Sequence, residues 1–390
     1  MHTLKRTFKA HAALLVIGLA LALGATHAQE VNLRLSTWQW EADGYTDFWQ
    51  DSVAAFMEDN PGITIEPFAF PTAQLWDRLN TQIAAGTPPD IIALTGFNVF
   101  QYANEGVLAP LDECLAGTGI VESLTVGQEY AVIDGARYAL PLSARTRQFF
   151  VNTQMFDEAG IDIPTNFEEL REAAIALTDA SAEEFGLVLV NLPHPRMYEF
   201  LLIMVAGYGG HFSQNGEPAF TSPEVIQGIS FFKELFDAGA MPAGVSNGGA
   251  QYSYFNSGRV ALTSDGPWYW ATLEEQAPDL VPHLEIIRNP TDTQAPTGGV
   301  NNMIGIAAGS DHYDEACAYI RSIATPEWGQ RWTNDSGTAF AIEGSVSQEF
   351  IDANPWFQTF AEELGNAVPL APPGLEIYYN DIVRMVNDSV

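Results

Sequence analysis

With 390 residues, 47% of them hydrophobic and 17% charged, and a mean hydropathy of −0.01, the chain is too apolar for disorder and long enough to favour two or more domains over one core. Its formal charge of −33 excludes nucleic acid as a partner, because counterion release requires a basic surface. Two cysteines, Cys114 and Cys317, are too few for a disulfide framework and have no metal-ligand spacing; an oxidising compartment permits a bridge between them, and the sequence leaves that pairing open.

The first residues read as a leader. Lys5, Arg6 and Lys9 precede an apolar run from Ala12 to Ala25, which ends in Thr26-His27-Ala28. That is the layout of a secretory signal peptide cleaved after Ala28, with an apolar stretch short of the ~20 residues needed to span a bilayer. The mature chain is then expected in the periplasm with a charge of −36 and a single lysine, Lys233. Such a surface suits concentrated salt, where screening removes self-repulsion, although an acid-rich, GC-rich lineage accounts for it equally.

Next, "VNLRLSTW" alternates as a strand, and "DGYTDFWQDSVAAFMEDNPG" carries apolar residues at helical spacing up to the breaker Asn60-Pro61-Gly62. "ITIEPFAF", "TAQLWDRLNTQIAAG" and "PDIIALTG" continue as strand, helix and strand, the signature of crossover units in a mostly parallel sheet. Ligands collect beyond the carboxyl ends of such strands, which directs attention to Trp38 to Asp43, Thr95 to Asn98 and Asp265 to Trp270. A second series follows: a helix through "NFEELREAAIALT", the strand "FGLVLV", an apolar helix around "MYEFLLIMVAG", and a helix entered through Ser222-Pro223. No repeat or flexible linker separates the two series, so the chain is expected to cross between them as a strand-like hinge.

"GRVALTSDGPWYW" then ends a buried strand with three adjacent rings, Trp268, Tyr269 and Trp270. A core seldom needs two indoles one residue apart, since each must bury a large ring and satisfy an N–H. A pyranose, by contrast, offers an indole its apolar C–H face while its hydroxyls seek donors and acceptors around the rim. Trp268 is the expected platform, and Trp270 the core residue of the pair.

Several stretches together resemble the extracellular solute-binding proteins of ABC importers, in the sugar-carrying branch similar to maltodextrin-binding protein. These are "AAGTPPDIIAL" with "YANEGVLAPLDE", "DGARYALPLSARTRQFFVNTQMFDEAGI", "FNSGRVALTSDGPWYW", and "TGGVNNMIGIAAGSDHYDEACAYIRSIATPEWGQRW". The resemblance implies an α/β, two-lobed periplasmic binding protein fold (type II), each lobe a mixed, mostly parallel sheet flanked by helices, with the ligand in the cleft between them. The division it suggests is 1–28 leader, 29–144 first lobe, 145–295 second lobe, 296–336 return to the first lobe and 337–390 second lobe. Hinge crossings are expected at Leu142–Phe149, Ile287–Gly298 and Ser336–Ile342. The chain stops at "IVRMVNDSV", where relatives usually continue through a further helix, so this end is expected to be shortened or truncated.

By the same resemblance Trp268 stacks on a sugar ring. The other ligand-binding candidates are Trp38, Trp40, Glu41, Asp43, Phe97, Arg145, Asp265, Gly299, Asn301, Tyr378 and Tyr379. The implied function is the substrate-binding component of an ABC importer: a monomer that captures a carbohydrate and delivers it to the transmembrane permease, with no cofactor, metal or catalysis. A polyol, a glycerol phosphodiester or an acidic sugar is an alternative, because Arg145 and Arg147 could clamp an anion. A secreted glycoside hydrolase is the rival of another class, but nothing among forty-nine acids singles out a pair. "GVSNG" at Gly244–Gly248 matches a nucleophile-elbow pattern without the strand–turn–helix context it needs, and His194, His211, His283 and His312 lack zinc spacing.

Overall fold

The computed structural model describes residues 30–42, 44–70, 72–144, 146–291, 296–298 and 300–390, so the expected leader lies outside the described residues. Two sheets organise the chain. In the first, strands β1 (Val31–Thr37), β2 (Ile63–Ala69), β3 (Ile91–Leu94), β4 (Leu140–Ala144) and β9 (Val300–Ile306) lie in the order β2-β1-β3-β9-β4. In the second, β5 (Gln148–Asn152), β6 (Phe185–Val188), β7 (Val260–Asp265) and β8 (Leu284–Ile287) lie in the order β8-β5-β7-β6. Each sheet holds one reversed strand: β9 runs antiparallel to β3 and β4, and β5 antiparallel to β7 and β8. Both are strands the chain forms just after crossing from the other sheet.

The helices follow from periodicity and caps. Helix α1 (Thr46–Asp59) buries Phe48, Trp49, Ser52, Val53 and Phe56 on one face and ends at Asn60, whose side-chain amide donates to Phe56 O at 2.8 Å. Helices α2 (Thr72–Ala84) and α3 (Gly96–Asn104) flank β3 in sequence. Residues of β3 alternate between two cores: Ile91 and Ala93 join Leu33, Leu35 and Phe48 on one face, while Ile92 and Leu94 join Val99 and Tyr102 on the other. A strand buried on both faces reads as a continuous apolar run, as "IIAL" does.

In the second lobe, α5 (Phe167–Ala176) is capped by Asn166. Helix α6 (Pro195–Gly207) is apolar nearly all round and buried. Helix α7 (Pro223–Asp237) starts as expected, with the Ser222 hydroxyl accepting from Val225 N at 3.3 Å. Gly228 allows α7 to press against α6, since a Cβ there would lie 2.5 Å from the Val205 backbone.

Phe340, Ala341 and Ile342 still pack in the first-lobe core, and Ala341 N donates to Leu142 O at 2.8 Å beside β4. Val346 and Phe350 pack on the second core. Phe340–Ile342 adds itself to the edge of the first sheet while the neighbouring Ala339 packs in the second core, so the chain touches both cores between Ser336 and Val346. A short parallel pair, Thr297–Gly298 with Ala367–Val368, joins the second crossing to the C-terminal segment. The Leu370 peptide links the lobes: its N–H donates to Tyr130 Oη and its carbonyl accepts from Tyr198 Oη, each at 2.6 Å. The pairing left open by the sequence is formed: Cys114, on α4 (Asp112–Leu115), is disulfide-bonded to Cys317, on α9 (Tyr313–Ile323), with Cα atoms 5.7 Å apart. Among the described residues no helix is long and apolar enough to cross a membrane.

Candidate functional site

Strand β7 is buried along its whole length and ends at Asp265, after which Gly266-Pro267 turns the chain into α8 (Tyr269–Gln276). Trp268 occupies the cap position of that helix. Its indole folds back over the turn so closely that a Cβ on Gly266 would lie 2.0 Å from the ring, which is why glycine stands there. The ring remains half-buried at the edge of the second-lobe core. Tyr269 and Trp270 are buried and meet other partners. Tyr269 is fully buried, stacked on Tyr252 at 4.1 Å. Trp270 stacks on Trp356 at 4.7 Å and donates from Nε1 to Glu274 at 2.9 Å. The helical turn, rather than an extended continuation, separates the two indoles.

Beneath Trp268 lies a charged network. The fully enclosed Asp265 carboxylate accepts from Arg147 Nη1 at 2.7 Å, from Arg196 Nη1 at 2.6 Å and from Gly266 N at 2.8 Å. Arg147 also donates from Nε and Nη2 to Glu199 at 2.6 Å. Two guanidiniums and two carboxylates thus balance in charge. Burial alone would raise the Asp265 carboxyl, but Arg196 and Arg147 outweigh it and hold its pKa below the ordinary carboxylate value. His194 is held below the usual imidazole value by burial and then by Arg196; its Nδ1 accepts from Arg196 N at 3.0 Å and so caps α6. The Arg147 guanidinium lies 5.2 Å from the Trp268 ring centroid and 5.7 Å from that of Phe200, and Arg196 lies 5.3 Å from that of Tyr252.

On the first lobe, Trp38 follows β1, half-buried and tilted against Trp76 of α2 at 5.6 Å. Trp40 is half-buried beside the first core and Glu41 is exposed. The Thr95–Asn98 turn caps α3, where Thr95 Oγ1 donates to Asn98 Oδ1 at 2.5 Å. Phe97 lies in α3 and Asn301 in β9, and their side chains are outside the described ones. Asp43, Arg145 and Gly299 fall outside the described residues.

Two assignments meet a different environment from the one expected. Asp265 is spent on the arginines rather than turned outward. Tyr379 is packed edge-on against Tyr198 at 5.8 Å, because α10 (Tyr379–Asn387) buries Tyr379, Ile382, Val383 and Val386 along one face. Tyr378 is exposed and lines a groove with Pro218, Phe220 and Met385. Ser246 of "GVSNG" sits in a loop capped into the next helix by Asn247, with no strand before it. Among the described residues no cluster of three or more His, Cys, Asp or Glu side chains is placed to hold a metal ion.

Sequence reasoning did not single out Arg196, Glu199, Tyr252 or Trp76. The signal for the first two was present, since they are the only charges in the apolar run "PRMYEFLLIMVAG", and buried charges must find partners.

Comparison with known proteins agrees with this architecture. Residues 42–330 match the family described as bacterial extracellular solute-binding protein. A Brucella abortus protein described only as a binding protein is 24% identical over 370 residues, covering 93% of this chain and 89% of its own. The maltotriose-binding protein of Pyrococcus abyssi is 26% identical over 306 residues, 76% of this chain and 65% of that one. The sugar-binding protein MalE from Xanthomonas citri superposes with a TM-score of 0.80 at 19% identity, over 92% of this chain and 90% of that chain, and so shares the fold.

Proposed function

The chain belongs to the bacterial extracellular solute-binding protein family, and we propose that this member is the carbohydrate-binding component of an ABC importer. It takes a sugar into the cleft between its two lobes and presents it to a membrane permease. The observation that carries this reading is the half-buried Trp268 indole, set at a strand end over a charge-balanced network. Such a surface offers an apolar face without a spare charge, which suits a neutral polyhydroxylated ring. Relatives bearing names such as maltotriose-binding and diacetylchitobiose binding protein support the same class. Trp38 and Trp40 are the first-lobe candidates to meet the ligand from the opposite wall. The leader, cleaved after Ala28, delivers a soluble monomer to the periplasm.

The anion-binding alternative asks Arg147 for a charge already committed to Glu199 and Asp265. The same geometry supports a protein without catalysis. Asp265 is enclosed and held ionised by two arginines, so it is not poised as a general acid. Titration calorimetry against maltotriose, tagatose, mannitol and glucuronate tests the proposal. Binding of a neutral sugar with no change in its glycosidic bonds is expected; binding of glucuronate alone, or hydrolysis of maltotriose, would refute it.

A further inference from the structure

We infer that Arg147 is a positioning residue for the ligand site: its guanidinium, pinned by Glu199 and Asp265, backs one face of the Trp268 indole and fixes which face the ring presents. The inference rests on reading Trp268 as the ligand platform. A tryptophan at a helix cap, half-buried and held at its edge by the Gly266 turn, still needs something against its face. Arg147 supplies it at 5.2 Å, with Phe200 5.7 Å from the same guanidinium, so the cation is packed between two rings. The carboxylates hold it from two different elements, Glu199 from α6 and Asp265 from the end of β7, which leaves the plane of the guanidinium little freedom. With its side chain 3% exposed, this cation is shielded from water, the setting in which cation–π contacts are strongest.

The backbone of Arg147 is fixed as well. Asn289 Nδ2 donates to Arg147 O at 2.9 Å and to Pro296 O at 2.6 Å, joining the first crossing to the second. One residue therefore ties the hinge strands to the ring at the ligand surface. Lysine could keep both ion pairs but offers a point charge in place of a plane.

The test uses Arg147→Lys, which keeps the charge, and the charge-balanced pair Arg147→Gln with Glu199→Gln, which leaves Arg196 on Asp265 should the single variant fail to fold. Each is made with and without Trp268→Phe, so that the near-ultraviolet circular dichroism owed to Trp268 is obtained by difference in each background. Maltotriose titration is run alongside. The expected result is a folded protein whose Trp268 band falls to less than about half its wild-type size, with maltotriose affinity reduced about tenfold. A Trp268 band of wild-type size in these backgrounds overturns the inference, even if melting temperature drops, because a merely structural arginine would lower stability and leave the ring ordered. If the band collapses but Trp268→Ala binds maltotriose as well as wild type, Arg147 positions the ring and it is the reading of Trp268 as the platform that fails.

Discussion

Replacing each of the two indoles in "GPWYW" by alanine separates recognition from packing. Trp268 is half-buried, whereas Trp270 is 9% exposed, stacked on Trp356 within 8° of parallel and hydrogen-bonded to Glu274. Emptying the Trp270 site removes a core ring and costs about 3 to 5 kcal/mol of stability. The lost stack leaves one face of Trp356 bare and accounts for up to about 1.5 kcal/mol of that cost. Trp268→Ala removes a ring already partly in water together with its contact to the shielded Arg147 guanidinium, so the unliganded protein should lose about 2 kcal/mol, less than Trp270→Ala. Binding is weakened as well: truncating an aromatic anchor costs about 2 kcal/mol or more, roughly a thirtyfold loss of affinity. Urea unfolding of the free proteins and titration calorimetry with the tightest-binding sugar of the panel give the two numbers independently. If Trp268→Ala unfolds as early as Trp270→Ala while its folded fraction binds sugar normally, the ring belongs to the core and the recognition argument is wrong.

Asp265→Asn should cost about 3 to 5 kcal/mol at neutral pH, because it breaks a buried charge network on one side only. Since the folded pKa of Asp265 is depressed, wild-type stability from this group is fully present above the unfolded value of about 3.9 and is lost as pH falls through the folded value; the gap between the two proteins should therefore narrow below about pH 4, and a constant gap down to pH 2 would contradict the assignment. Reducing Cys114–Cys317, which are 203 residues apart in sequence, should lower the urea unfolding stability of the first lobe by about 2 to 4 kcal/mol, and an unchanged midpoint in dithiothreitol would show that the bridge constrains little. If the expected crossings at 142–149, 287–298 and 336–342 act as a hinge, saturating sugar should shrink the radius of gyration in small-angle scattering, and an identical radius with and without ligand would remove the closure argument.

What could be read from the chain divides by the range of the interaction. The period of "VNLRLST", the breaker after α1 and the Ser222-Pro223 entry to α7 are set by residues within a turn of one another, so their elements could be placed from spacing alone. The burial of Trp270 is a consequence of the same kind, because a helix beginning at Tyr269 sends it away from Trp268. Tyr379 is a related case: its place at the opening of a helix is legible locally, but which face of that helix is buried depends on Tyr198, nearly two hundred residues earlier. Phe340–Ile342 adds to an edge strand formed by residues near 142, a pairing no local pattern announces.

The site shows the same division within five residues. "SDGPW" encodes a turn, and Gly266 is required there by the indole folding over it, a constraint local enough to be legible. The role of Asp265 is not local. A buried aspartate at a strand end is equally compatible with a ligand hydroxyl and with an arginine, and its partners here come from 118 and 69 residues away. Desolvation makes the second arrangement the stable one in the free protein, since a carboxylate with no surface exposed cannot wait uncompensated for a sugar. Once Asp265 is satisfied by two arginines, a second carboxylate is needed to keep the cluster neutral, and Glu199 stands one helical turn beyond Arg196 on the same face of α6. The two charges in that apolar helix are thus the sequence-level trace of the network. They indicate that a buried ionic partner exists, and only the fold identifies the partner of Arg196 as Asp265, three residues ahead of Trp268.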